Sequence, residues 1–457
     1  MSVGSSHVSR LAAAVAAGVM LLLAACAEVG PDYVRPSAPT TDKYRESASA
    51  TAARAEAPAE TDAWWTVYGD PVLDGLVADV EVSNQTLASA TARVREAEAL
   101  VRAANGQASP ELGIGTLKSG RKNENDFGVG VRWELDLWGR LRRDIEAHRA
   151  DAEASEEDLA AATLSVRAQL VLDYFALREN DAVIALQEHA AEADASWQRM
   201  VANQFTQGLT SSADVAQALM RASTSQMQLA DLRTSRAQLE HAIAVLVGKP
   251  PADFSLAPAV GDIRVPLIPE GVPATLLERR PDVRARERRM AAASARIGVR
   301  KAETLPSISL DAGIGILRGP TATADVRAPL FTGGRLQAQV DAADAAYEAS
   351  VADYRQTVLD AYREVEDALV EIHALEGAAS LQTRAAAAAA ESDRVTRNQY
   401  REGVADYTAV IEATSSALET GRADIHVRRR RLDASVALIK SLGGSWGNEP
   451  AVNDAPR

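Results

Sequence analysis

The chain has 457 residues, 47% hydrophobic but only 4% aromatic, with alanine the dominant apolar residue. A formal charge of −14 excludes nucleic acid as a partner, because phosphate binding needs a basic footprint. The single cysteine, Cys26, excludes an internal disulfide and a Cys-rich metal site. The six histidines lack paired metal spacing, and no nucleophile, base and metal set converges, so the chain reads as neither an enzyme nor a cofactor protein.

Residues 1–25 form a secretory signal. Arg10 supplies the positive start, and Leu11 to Ala25 is an unbroken apolar run, shorter than the roughly 20 residues that a membrane span needs. The run ends Leu23-Ala24-Ala25-Cys26, which resembles a bacterial lipobox and makes Cys26 the lipidated first residue of the mature chain. An ordinary signal peptide with an incidental cysteine is the bland alternative. Residues 26–69 follow as an extended, lipid-anchored segment, polar over 27–62. Asp70-Pro71 then supplies the cap and first turn of a helix.

From here the chain is written twice. Gly139-Arg140-Leu141 returns as Gly334-Arg335-Leu336, Asn203-Gln204-Phe205 as Asn398-Gln399-Tyr400, and Gly248 as Gly443, each 195 residues further on. The first repeat covers 70–250, with a β-hairpin at about 110–138 and long helices over 139–248. A proline-rich linker, 251–273, leads to the second repeat, 274–445, with a hairpin at about 306–331 and long helices over 334–443. Residues 446–457 are a tail. No proline interrupts Pro110 to Pro250 or Pro329 to Pro450, which permits long helices, and Gly208 and Gly403 mark the turn into a shorter one in each half.

The hairpins alternate with period two. Phe127, Val129, Val131, Trp133 and Leu135 oppose Gly128, Gly130, Arg132 and Glu134. Ile308, Leu310, Ala312, Ile314 and Ile316 oppose Ser307, Ser309, Asp311, Gly313 and Gly315. The return strand runs from Ala322 to Leu330, after a short link around Arg318 to Thr321. Such runs suit tilted membrane strands, although a pair of soluble hairpins on one core has the same pattern. Only a closed barrel carries strands through lipid, and single-chain barrels start at about eight strands. Four strands per chain therefore predict a barrel shared between copies, eight strands from two or twelve from three. Eight leave room for little more than side chains.

Several motifs are those of a known family. They are Gly30-Pro31-Asp32-Tyr33-Val34-Arg35-Pro36 after Cys26, Trp64-Trp65 ahead of Tyr68-Gly69-Asp70-Pro71, and Leu276-Leu277-Glu278-Arg279-Arg280-Pro281-Asp282-Val283-Arg284. With Pro329-Leu330-Phe331-Thr332-Gly333-Gly334-Arg335 and Glu364-Val365-Glu366-Asp367-Ala368-Leu369, they resemble the TolC-like outer-membrane efflux proteins, in the lipidated branch paired with resistance-nodulation-division pumps. The resemblance implies a mainly α fold with a β membrane section. It implies a trimer whose twelve-stranded barrel continues into a periplasmic α-helical barrel, held in outer-membrane lipid and docked to a periplasmic adaptor and an inner-membrane pump. It also implies a gate at the helix tips, where Asp214 and Glu412 match acidic positions and Tyr400 an aromatic one. Ala409 and Ala405 stand where the archetype has a second acid and a base, so Asp406 is the substitute for the latch. The plainer view of Asp214 and Glu412 is that both are solvated helix-terminus residues.

The rival functions are an outer-membrane component for protein export beside an ABC transporter, and a structural coiled-coil lipoprotein without a pore. The lipobox and pump-branch motifs oppose the first, and the alternating hairpins oppose the second. Gly443-Gly444-Ser445-Trp446-Gly447 matches G-x-S-x-G but lacks the strand-to-helix elbow that motif needs. Arg428 to Arg431 reads as a solvated or headgroup-facing run, with adaptor contact as the sharper reading.

Overall fold

The structure is a computed structural model that describes residues 28–39, 41, 44–46, 63–118, 125–261, 263–266, 280–317 and 319–444. Cys26, the signal, the C-terminal tail and most of the second half of the linker lie outside these residues. In chain order the elements are α1 (Pro71–Ser83), α2 (Gln85–Gln107), β1 (Glu111–Lys118), β2 (Asn125–Leu135), α3 (Arg140–Thr206), α4 (Ser212–Leu246), α5 (Pro281–Ala302), β3 (Ser307–Gly315), β4 (Gly319–Arg327), α6 (Arg335–Arg401) and α7 (Tyr407–Ser441).

The duplication is exact in the length of the long helices and of the helices that follow them. Helices α3 and α6 each have 67 residues, and α4 and α7 each have 35. At 1.5 Å per residue the long helices extend about 100 Å. Each long helix ends in the same way. Leu209 N–H donates to the Gln204 carbonyl at 2.9 Å and Val404 N–H to the Gln399 carbonyl at 2.8 Å, around Gly208 and Gly403, both at φ +74°. Only glycine holds that conformation without strain, which is why both repeats keep it.

The chain divides into two compact units, of which one joins residues 1–39, 89–160 and 281–359. Its four strands form one antiparallel sheet in the order β1-β2-β3-β4. The register sets Leu112 opposite Val131, Val131 opposite Ala312, and Ala312 opposite Ala322, so one face is apolar over most of its length, turning polar only at Thr116, Lys118 and Asn125. That face is open, with Leu112, Ile114, Phe127, Val129 and Ile314 all exposed. The other face carries two rows of glycine, Gly113-Gly130-Gly313 and Gly115-Gly128-Gly315, and an Arg132–Asp311 ion pair of 2.8 Å. A Cβ on Gly128 would lie 2.2 Å from the Ile314 carbonyl oxygen. Two strand ends differ from the sequence reading. The apolar alternation continues past the hydrogen bonding, so β4 stops at Arg327 short of Leu330, and Gly319 to Thr321, read as link, already belong to β4.

The same unit fixes the N-terminal segment. Gly30, at φ +107°, packs on Gly298 of α5 so tightly that a Cβ there would sit 2.5 Å from the Gly298 Cα. Buried Arg143 bonds Asp32 and Glu146, each at 2.7 Å. Tyr33 donates to Glu287, and Arg35 donates to the Tyr354 hydroxyl at 2.8 Å. The Gly-Pro-Asp-Tyr-Val-Arg motif is therefore a string of docking contacts.

The second unit joins residues 40–88, 161–280 and 360–457. Its core gathers Trp64, Trp65, Tyr68, Leu73, Tyr174, Phe175 and Ile439. Asp70 caps α1 by accepting from Val72 N–H at 2.9 Å, with Pro71 at the first helical position, and it also accepts from the Tyr174 hydroxyl at 2.5 Å. The described part of the linker is irregular but clamped. Asp181 accepts from Arg236 and from the Ala259 N–H, and Glu240 accepts from the Leu256 N–H.

Candidate functional site

The tips of both helix pairs lie in the second unit, where α3 turns into α4 and α6 into α7. The sequence assigns Asp214, Tyr400, Asp406 and Glu412 to this place. Asp214 is the third residue of α4 and closes a capping box with Ser211. Its carboxylate accepts from the Ser211 hydroxyl at 2.7 Å, the Thr210 hydroxyl at 2.7 Å and the Ser211 N–H at 3.0 Å, while the Ser211 hydroxyl accepts from the Asp214 N–H. These donors, the Ser211 hydroxyl first, hold the Asp214 carboxyl below its ordinary pKa. Asp406 occupies the equivalent of Ser211 in the second repeat. It caps α7 directly, accepting from the Ala409 N–H at 2.7 Å. Both acids thus satisfy helix ends. Glu412 lies in the second turn of α7, exposed, and makes no ion pair among the described residues.

Tyr400 does join a network. Its hydroxyl donates to Gln204 at 3.2 Å across the two helix pairs, and its ring meets Trp197 edge-on at 5.1 Å. Tyr407 stands 6.2 Å from Trp197 and 6.0 Å from Tyr400, completing a three-ring cluster over Val201 and Ala218. The repeat counterparts of the three rings are Ser392, Phe205 and Ser212, so only one arrangement of the two pairs builds this cluster.

Polar ties that the sequence reading missed lie just beyond the rings. Arg221 of α4 donates to Asp194 of α3 at 2.7 Å, and also to the Ile411 carbonyl at 3.3 Å and the Ser415 hydroxyl at 2.9 Å, both on α7. Asp194 is 5% exposed, so its charge depends on that guanidinium. In the opposite direction Arg422 of α7 donates to Gln187 of α3, which is fully buried and donates in turn to the Ser225 carbonyl at 3.0 Å. Gln187 and Ser225 have repeat counterparts in Gln382 and Thr420, which make the same bond at 3.1 Å. The arginines have none, because Arg221 maps to Ser416 and Arg422 to Met227. A charge present in one repeat and missing from the other, on an otherwise matched helix, is the signal that would have found them. Further along α7, Arg428 pairs with Asp424, Arg429 with Glu179 and Arg430 with Glu371, so this basic run is largely neutralised within the chain.

An antiparallel sheet with an open apolar face, in a chain with two 67-residue helices that each turn into a 35-residue one, defines a subunit of an outer-membrane efflux channel. A model of the outer membrane efflux protein family matches residues 76–249 and 272–444, and the chain belongs to that family. It is a channel protein of the outer membrane that extends into the periplasm and serves efflux, and it is not an enzyme. It is 29% identical to the pyoverdine export outer membrane protein OpmQ of Pseudomonas putida, over 87% of this chain and 91% of that one. It is 28% identical to the cation efflux system protein CusC of Escherichia coli, over 94% and 97%. The solved outer-membrane channel OprN superposes with a TM-score of 0.81 at 28% identity, covering 92% of this chain and 99% of that one.

Proposed function

We propose that three copies of this chain form one passive conduit. It receives small toxic compounds from a periplasmic adaptor and an inner-membrane resistance-nodulation-division pump and releases them outside. The observation that carries the reading is the four-stranded sheet: its outer strands β1 and β4 do not pair with each other, and one face is apolar and open. A lone sheet of this kind leaves edge hydrogen bonds unmade in lipid, whereas three copies close twelve strands into a barrel with an aqueous bore. Cys26 anchors each copy by lipid.

At the periplasmic end the helix tips form the gate. Three Glu412 carboxylates facing one axis favour cations, and the Arg221 and Arg422 ties hold the two helix pairs of each copy together until partners engage. These ties take the place of the latch that Ala405 and Ala409 leave out. Native mass spectrometry together with planar-bilayer conductance tests the reading: a trimer that conducts supports it, and a non-conducting monomer or dimer overturns it. Cys26→Ser yields a chain without the mass of the lipid, and an unchanged mass would refute the anchor.

A further inference from the structure

The two free edges of the sheet carry opposite charges that nothing within the chain uses. β1 begins at Glu111, just after α2 ends at Gln107, and β4 ends at Arg327, just before α6 begins at Arg335. Both residues therefore lie at the end of the sheet nearest the helices. They also share its polar face. Glu111 stands opposite Arg132 and Arg132 opposite Asp311, while Arg327 stands opposite Ser307, an even number of residues from Asp311 on the same strand. The Arg132 guanidinium is committed to Asp311 at 2.8 Å. Glu111 and Arg327 are exposed and make no ion pair among the described residues.

Within one copy Glu111 lies level with Thr323 of β4, so Arg327 is four residues nearer the helices. Closing a barrel offsets that difference. Barrel strands tilt about 35–45° and lie about 4.8 Å apart, so a level line followed across four strands steps roughly 13–19 Å along the next strand, or about four to six residues. The step is even, because an odd one would turn side chains to the other face. Its direction follows from the hand of the sheet. The Ile316 N–H donates to the Phe127 carbonyl at 2.9 Å, and Phe127 lies on the outer, apolar face, so β1 to β4 run from right to left seen from outside with the helices below. Right-twisted strands lean to the right in that view, and the level line climbs away from the helices as it passes to the next copy. A step of four then sets Arg327 directly opposite Glu111 of the next copy. The same step sets Val326 against Leu112 and Ala324 against Ile114 on the outer face. A step of two would set Asp325 opposite Glu111, acid against acid, and a step of six would part Arg327 and Glu111 to a diagonal.

We propose that Arg327 of each copy pairs with Glu111 of the next, and that these ion pairs fix the register in which the barrel closes. Asp325 opposes the shorter register by repulsion, so attraction and repulsion select the same alignment. The pairs lie on the bore side of the wall, at its periplasmic end. The inference rests on the reading that three copies share one barrel.

The test uses the full-length chain assembled in membranes, with the trimer surviving graded heating counted by native mass spectrometry. Glu111→Arg and Arg327→Glu are each expected to lower surviving trimer about tenfold, because the loss is repeated at three seams, and the double exchange to restore it to within about twofold of wild type. Glu111 also stands opposite Arg132, so the rescue is what separates the seam from the neighbouring strand. Single variants as durable as wild type, or a double exchange that rescues nothing, overturn the proposal. If the charge variants fail to assemble, cysteine pairs decide. Glu111→Cys with Arg327→Cys is expected to give disulfide-linked copies on oxidation, and Glu111→Cys with Asp325→Cys few, with Glu111→Cys alone as the control for Cys26. A wild-type trimer in which the Asp325 pair links as readily as the Arg327 pair, or in which neither links, sinks the register alone. A wild-type chain that never forms a trimer sinks the shared barrel on which it rests.

Discussion

Replacing Arg221 with methionine tests whether the cross-pair ties hold the helix tips. The side chain keeps most of its apolar stem and loses the guanidinium, so Asp194 loses its 2.7 Å partner while staying buried, and Ser415 and the Ile411 carbonyl lose a donor on α7. Breaking a buried pair by removing one partner costs about 3–5 kcal/mol. Arg221 itself is 17% exposed at its side chain, and water can reach the vacated space, so about 2 kcal/mol is the better figure. If the tie forms only in the closed arrangement, that loss raises the open population about thirtyfold in each copy. Single-channel recording of the assembled trimer reads this directly, as longer and more frequent openings without any partner present. Asp194→Asn in the Arg221→Met background should add little further, because the charge it removes has already lost its partner. An intact trimer whose open probability matches wild type would refute the tie as a gate element, and its role would then be confined to packing.

Four further outcomes follow from the structure. Gly30→Ala meets both a positive φ and the Gly298 backbone, so it should cost about 2 kcal/mol or more and release the N-terminal segment to limited proteolysis, whereas alanine at exposed Gly106 should not. Glu412→Ala should weaken cation selectivity, seen as a shift of reversal potential toward zero in a salt gradient; unchanged potentials would remove Glu412 from the pore. Burial pushes the Asp433 carboxyl up to about 6, against the opposing pull of Arg429. The folded chain therefore binds a proton more tightly than the unfolded one, and this site's penalty is full above about pH 6 and relieved as pH falls toward 4. Asp433→Asn should raise the thermal midpoint at pH 7 and leave it nearly unchanged at pH 4. Asp214 has the opposite sign: its lowered pKa makes the cap fully effective above the ordinary carboxylate range and weakens it as pH falls through the lower folded value, so Asp214→Asn should flatten the acid dependence of tip proteolysis.

The strands were legible because one face alternates Leu, Ile, Val, Phe and Trp against Gly and polar residues. The long helices were legible from missing prolines and the 195-residue recurrence, and the matched helix lengths follow from the same duplication. What the sequence hid is which residues face one another across the helices. Alanine-rich helices are small all round, so their apolar periodicity is shallow and the rotation of each helix is not readable from it. Gln187 could not be told from a solvated residue until that rotation was known, and Arg221 and Arg422 were marked only by the missing charge at their repeat counterparts, Ser416 and Met227. The acids are ambiguous for another reason: Asp214 and Asp406 sit within a turn of a helix start, where capping and pore lining call for the same residue type.

The two glycine rows on the polar face of the sheet bear on how cargo leaves. In a closed barrel that face looks inward, and at the levels of Gly113-Gly130-Gly313 and Gly115-Gly128-Gly315 the first three strands present bare peptide, with Thr321 of β4 the side chain that ends the first row. Peptide groups already paired in the sheet have no rotamers to freeze and no net charge to offer a passing molecule. Over those levels the exit behaves as a low-friction sleeve, wider than its strand count suggests and indifferent to the chemistry of what slides along it.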